Sequence, residues 1–230
     1  MLVDTVFGSI NFSEGCEFYK NGSISCGIVS KRIHIDTPIG DIVPNFSFED
    51  GRKKHRPSLE FFENGEIKSI YLEVPMYVDT AIGKIKAELV TFYKNGGIKR
   101  IFPVYGQISG FRSEEDEYLL AEKTEFKISD NIINAVPQCV HFYEGGALRS
   151  ITLWKFSPLM LPTRYGDIKT TVGIEFYESG EIKSIEPYIG TKLVIDGKKR
   201  NVFDINALGM HADNNSLVFD KEGNIISWFR

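Results

Sequence analysis

The chain alternates apolar and polar residues in short runs, and most runs end at a glycine. Leu59 and Phe61 stand two apart, as do Val90 and Phe92, Val140 and Phe142, Ile174 and Phe176, and Leu217 and Phe219. A period of two puts each pair on one face of a β-strand, because successive strand side chains point to opposite sides. A turn follows every pair. The segments EFYKNGSI (17–24), EFFENGEI (60–67), TFYKNGGI (91–98), HFYEGGAL (141–148), EFYESGEI (175–182) and VFDKEGNI (218–225) form one recurring motif. A second alternates with it: TVFGSI (5–10), TPIGDI (37–42), TAIGKI (80–85), PVYGQI (103–108) and TRYGDI (163–168), with IDGKKR (195–200) as a degenerate copy. Each repeat therefore reads as two consecutive hairpins.

Cross-strand chemistry selects the turn. A three-residue loop, Glu63-Asn64-Gly65, places Phe61 opposite Ile67 and Glu60 opposite Lys68, an apolar pair and an opposite-charge pair. The same register pairs Phe92 with Ile98, Phe142 with Leu148, Phe176 with Ile182, and Glu175 with Lys183. A two-residue Asn-Gly loop would set Phe61 against Lys68 instead. The three-residue loop requires positive φ at Gly65, Gly96 and Gly180. Pro38 suits the first central position of a type I turn, which puts the second motif in the same loop class. This register predicts burial of Phe18, Phe61, Phe92, Phe142, Phe176 and Phe219. It assigns Tyr19, Tyr93, Tyr143 and Tyr177 to the other face, with Ile70, Ile101, Ile151 and Ile185 further along that face. It also sets Cys16 opposite Cys26.

The predicted fold is thus all-β: repetitive antiparallel hairpins in an elongated meandering sheet or solenoid-like array, one domain over 1–230. A β-sandwich or barrel is the alternative. At most one short helix, near 114–121, is expected: Ser113 and Asp116 have capping-box spacing, and Glu114, Glu115, Asp116 and Glu117 suit a helix N-terminus.

Three intervals between turn glycines are long, and the added residues lie within 43–58, 108–138 and 198–216. Insertions in repeat proteins map to loops that carry function. The first holds Arg52, Lys53, Lys54, His55 and Arg56, read either as an anion or nucleic-acid contact or as a solvated loop guarding a sheet edge. The second holds Phe111 and the acids 114–117, read as a cation site, a docking point for a basic partner, or a capped solvent-facing helix. The third holds His211 and Asp213, read as a metal or catalytic pair or as an Asp/Asn-rich turn.

Composition narrows the function. With 27 basic and 31 acidic residues the net charge is -4, so no nucleic-acid partner is expected. No run approaches a transmembrane span, and a cytoplasmic location is expected. Three cysteines without zinc or redox spacing predict reduced thiols and a fold indifferent to chelators and reductant. No serine-hydrolase, zinc-protease, phosphate-loop or dinucleotide motif is present, and no cofactor is expected.

The units FYKNG, FFENG and FYESG, each followed by an isoleucine, resemble the MORN repeat and its bacterial variant. That resemblance implies an array of antiparallel hairpins acting in protein or membrane-surface contact, without catalysis. The leading expectation is a non-enzymatic interaction or scaffold protein that binds a protein partner through its hairpin surface, with self-association possible through edge strands. Its candidate contacts are Phe111, Glu114, Glu115, Asp116, Glu117, Arg52, Lys53, Lys54, His211 and Asp213. The alternative is a ligand-binding or hydrolytic β domain with its site between the three insertions.

Overall fold

The computed structural model describes residues 1–13, 15–48, 51–109, 111–128, 131–204, 212 and 214–228. Among these residues the strands are antiparallel and there is one short helix, Glu114–Tyr118. The chain divides into two compact units, Met1–Leu120 with Glu144–Gly146, and Ala121–Tyr143 with Ala147–Arg230.

In the first unit a sheet runs in chain order through Glu17–Phe18, Ile24–Gly27, Leu59–Phe61, Ile67–Thr80, Gly83–Phe92 and Ile98–Phe102. The second unit repeats the scheme with Pro137–Phe142, Leu148–Leu153, Gly166–Phe176, Ile182–Pro187, Leu217–Phe219 and Ile225–Trp228. An additional strand, Leu159–Thr163, pairs with the start of Gly166–Phe176.

The first motif forms the predicted three-residue loop. The Gly65 N–H donates to the Phe62 carbonyl and the Phe62 N–H to the Glu66 carbonyl, at 2.9 and 2.8 Å. Gly65, Gly96 and Gly180 have φ of +88°, +82° and +103°. Phe61 faces Ile67, and the Phe92–Ile98, Phe142–Leu148 and Phe176–Ile182 pairs form as expected.

One residue further on, the register departs from expectation. Glu60 faces Ser69, Glu175 faces Ser184 and Glu17 faces Cys26, because each hairpin carries a β-bulge. Ser25, Lys68, Lys99, Arg149, Lys183 and Ile226 are the extra residues. An unpaired extra residue reverses the in-out parity of everything after it. Ile70, Ile101, Ile151 and Ile185 therefore sit opposite Leu59, Val90, Val140 and Ile174, on the phenylalanine face and not with the tyrosines. All eight are 0% exposed, so this ladder is the core of each unit. The same bulge removes Cys16 from Cys26; both thiols are free. The charge pairs survive it: Lys183 Nζ lies 2.9 Å from Glu175 and Lys68 Nζ 3.7 Å from Glu60.

The second motif differs from the first. Thr37 pairs with Gly40, Thr80 with Gly83 and Thr163 with Gly166, which leaves two-residue loops. The threonine explains the loop. Thr37 Oγ1 donates to the Gly40 carbonyl and accepts from the Ile39 N–H, closing the turn from within. In IDGKKR, Asp196 and Gly197 both have positive φ, the signature of a type I′ hairpin. PVYGQI forms no hairpin.

These smaller hairpins cover the phenylalanine face. Phe7, in the hairpin Leu2–Thr5/Gly8–Asn11, stacks on Phe61 with ring centroids 6.5 Å apart. Pro38 reaches the turn at Gly96. Phe61, Phe92, Phe142, Phe176 and Phe219 are buried, but Phe18 is 45% exposed. Phe18 lies on the outermost two-residue strand of its sheet, and the first hairpin packs on Phe61 instead.

The motif tyrosines are fasteners between hairpins. Tyr19 OH donates to the Phe61 carbonyl, Tyr143 OH to that of Phe176 and Tyr177 OH to that of Phe219, each at 2.8 Å. This accounts for the aromatic pair in the repeat: phenylalanine fills the core, and tyrosine ties its hairpin to the next.

Candidate functional site

Each insertion is held by carboxylates that sit, unexpectedly for charged groups, inside the protein. In the first unit Glu73, from Ile67–Thr80, gathers residues 45–47. It accepts from Asn45 Nδ2 at 2.6 Å, Ser47 Oγ at 2.6 Å and the Phe46 N–H at 3.0 Å. Lys53 donates to the Glu73 carbonyl at 2.5 Å and stands 3.6 Å from its carboxylate. Burial alone would push the Glu73 pKa up; the Ser47 hydroxyl and the Phe46 and Ser47 N–H groups outweigh it and bring it below 4.5.

The first and second insertions meet at Arg52. Its guanidinium contacts Glu88 at 2.7 Å and both oxygens of Glu117, at 2.9 and 3.1 Å. Arg112 also donates to Glu117. Glu88 is 7% and Glu117 2% exposed. Two arginines and two glutamates thus balance, as buried charge requires. Burial would lower the Arg52 pKa, but the two carboxylates dominate and raise it. Backbone amides complete the cluster: the Tyr105 N–H donates to Glu88 at 2.6 Å and the Gly106 N–H to Glu117 at 3.0 Å. A Cβ at Gly106 would lie 2.2–2.3 Å from the Glu117 carboxylate, so any side chain here would displace that carboxylate from its place in the cluster. The PVYG glycine serves close approach, not a turn.

The rest of the basic run is engaged as well. Lys54 Nζ sits 3.9 Å from the centre of the Tyr105 ring, and Arg56 pairs with Glu60 at 2.9 Å and with Tyr105 OH at 3.0 Å. Arg52, Lys53, Lys54 and Arg56 therefore anchor the first insertion, and no basic face is spread toward solvent.

The second insertion separates the candidate acids. Ser113 and Asp116 form the expected capping box on Glu114–Tyr118. Glu115 and Asp116 face outward, whereas Glu117 turns into the ion cluster. Just before the helix, Ser109 and Arg112 exchange backbone hydrogen bonds at 2.8 and 3.3 Å and project Phe111 outward, 103% exposed.

In the second unit Glu186, 2% exposed, accepts from Ser216 Oγ at 2.6 Å, the Ser216 N–H at 2.8 Å and the Asp204 N–H at 3.0 Å. Burial raises its pKa despite these donors. It ties Asp204 and Ser216 of the third insertion to the strand Ile182–Pro187; His211 and Asp213 lie outside the described residues. His141 faces Ser150, on the strand that carries Arg149, inside the sheet. Among the described residues no cluster of three metal-ligating side chains occurs.

Sequence reasoning missed Glu73, Glu88 and Glu186. Glu73 and Glu88 stand inside otherwise apolar strand runs, YLEV and AELV, and that is the signal that marks them; Glu186, in IKSIEP, carries a weaker one. A charged residue amid core alternation demands a partner.

No family model matches the chain, and no curated protein and no solved structure matches it.

Proposed function

We propose that the chain is a non-enzymatic interaction module that binds a macromolecular partner through the tip around Phe111. The observation that carries this reading is the full exposure of Phe111 beside Arg112, whose side chain is locked to the buried Glu117. Burying a phenylalanine is worth about 1.5–3 kcal/mol, and an aromatic side chain has only two rotatable bonds to order on docking. Ile108 and Leu119, near Phe111 in the chain, are also exposed, by 62% and 73%. Glu114, Glu115 and Asp116 border this tip with negative charge. An aromatic centre with a charged rim is the makeup of a protein interface. The matching partner is a protein surface with an apolar socket and a basic border; an acidic rim repels phosphate. The MORN-like tips fit a scaffold role for the remaining hairpins.

The test starts from a pull-down from native cell extract with the full chain. The partner's affinity is then measured for the wild type, for Phe111→Ser and for a triple change of Glu114→Gln, Glu115→Gln and Asp116→Asn. Phe111→Ser should weaken binding about tenfold or more. The charge variant should slow association and flatten its salt dependence. An extract that yields no partner, or a partner indifferent to both variants, rejects the reading.

A further inference from the structure

The layer of small hairpins over the second unit's phenylalanine face has a gap in it. On one side stands Asn131–Ala135, paired among the described residues with Thr124–Ile128 alone. On the other stands Leu159–Thr163, paired among the described residues with Gly166–Phe176 alone. Between them runs a groove of about 600 Å³ with Phe176, Ile182 and Phe219 at its base.

Both strands meet the groove with an edge. A strand that presented a face would contribute every second residue. Here the lining takes consecutive residues from each, 131–134 and 159–164. The registers show which backbone groups those edges offer. Ile128 faces Asn131 across the hairpin end, and Thr163 faces Gly166, so each of these is a pair that exchanges both hydrogen bonds. Alternation then leaves Ile132 and Asn134 with N–H and C=O pointing away from their own hairpin. Across the groove, Met160 offers both groups and Pro162 offers only a carbonyl. A proline on a free edge is the device that keeps such a strand from pairing indiscriminately. The Ile132 and Met160 side chains are 60% and 53% exposed beside these groups.

We propose that this groove binds a short extended peptide by strand addition, with the peptide hydrogen-bonding the Ile132 and Asn134 backbone and laying apolar side chains toward Phe176 and Phe219. Backbone donors and acceptors in a row, above an apolar floor, recognise an extended chain with apolar residues at alternate positions. The edge matches about four to five peptide residues. Charge favours an uncharged segment: Lys123, Arg164 and Lys221 on the rim are balanced by Glu181, Asp220 and Glu222. Arg164 and Asp220 are already engaged by Asn224. This site is separate from the Phe111 tip, and its occupant is a different segment.

The test pans a phage-displayed library of random peptides of about seven residues on the full chain, then follows an enriched peptide by titration and amide hydrogen exchange. Enriched peptides should alternate apolar residues, and binding should slow exchange at the Ile132 and Asn134 amides. Ile132→Pro removes a donor that its own hairpin does not use. It should weaken the peptide about tenfold or more and Ile132→Val, which keeps the donor, far less, while Phe111→Ser, outside this groove, binds the peptide as the wild type does. No enrichment, or bound peptides that leave both amides unprotected, overturns the proposal. So does Ile132→Pro binding normally; if that variant fails to fold, exchange in the wild type decides. Protection that grows with protein concentration and no peptide assigns the groove to a second copy of the chain and equally overturns it.

Discussion

Phe62→Tyr should stabilise the protein, although it adds a polar atom to a half-buried site. Tyr19, Tyr143 and Tyr177 each donate to the phenylalanine carbonyl of the next hairpin at 2.8 Å. The second copy, EFFENGEI, has Phe62 at that position, and the matching acceptor is the Phe92 carbonyl. Phe62 already pays the ring's ordering cost and lies in the same turn geometry. The hydroxyl therefore adds one hydrogen bond with little further entropy, worth about 0.5–1.5 kcal/mol net. In a chain of this size that corresponds to a rise of about 2–4 °C in Tm per kcal/mol. Tyr177→Phe is the reverse experiment in the second unit and should cost a similar amount. Urea and thermal melts of both variants against the wild type measure the effect. If Phe62→Tyr is neutral or harmful while Tyr177→Phe is silent, the tyrosine clasp contributes nothing and the explanation of the aromatic pair fails.

Four further outcomes follow from the same geometry. Glu117→Gln should cost about 3–5 kcal/mol in denaturant melts because it unbalances a buried ion cluster, whereas Glu115→Gln should stay within about 0.5 kcal/mol; equal effects would mean that Glu117 is not buried with its arginines. Phe92→Ala should cost about 3–5 kcal/mol and Phe18→Ala far less, since only the first is in the core. At Gly223, φ +79° with open space around it, Asn should be tolerated better than Val in thermal melts, because the strain is in the backbone alone. Glu73, whose folded pKa lies below its unfolded value, stabilises the protein above pH 4.5, and that contribution disappears as pH falls through the folded pKa. The gap in stability between wild type and Glu73→Gln should therefore close on acidification, and a gap independent of pH would rule out Glu73 as the titrating group.

The fold was largely legible in the sequence because a hairpin repeat writes its turns in glycine and its core in period two. Gly65 and the Phe61–Ile67 pair sufficed to derive the three-residue loop. The bulge at Lys68 left no such mark. Inserting one residue costs a single ladder position, and the sequence around Lys68 reads equally well as a cation facing Glu60 in an unbroken register. Only the row beyond it discriminates. An unbroken register would turn Ile70, Ile101, Ile151 and Ile185 all to the tyrosine side, and four isoleucines at one repeat position belong in a core. Ser69 and Ser184, which then face Glu60 and Glu175, fit the polar side.

The site residues were harder to read for a different reason. Composition along the chain shows where charge is, not whether it is compensated. Arg52, Lys53 and Lys54 look like a basic patch until Glu88 and Glu73 from the strands and Glu117 from the helix neutralise the first two and the Tyr105 ring covers the third. The same folding step that consumes this charge leaves Phe111 outside, because Glu117 is drawn inward to Arg52 and Arg112 is drawn to Glu117. The two facts are coupled. Releasing Glu117 from the cluster should loosen the Ser109–Arg112 turn and, with it, the presentation of Phe111. Hydrogen exchange at the Arg112 amide, which bonds the Ser109 carbonyl at 3.3 Å, reads this directly. Faster exchange in Glu117→Gln under conditions where the sheet amides of Gly83–Phe92 stay protected would show that the ion cluster holds the tip; unchanged exchange would mean that the turn stands by itself and that the cluster serves only the fold.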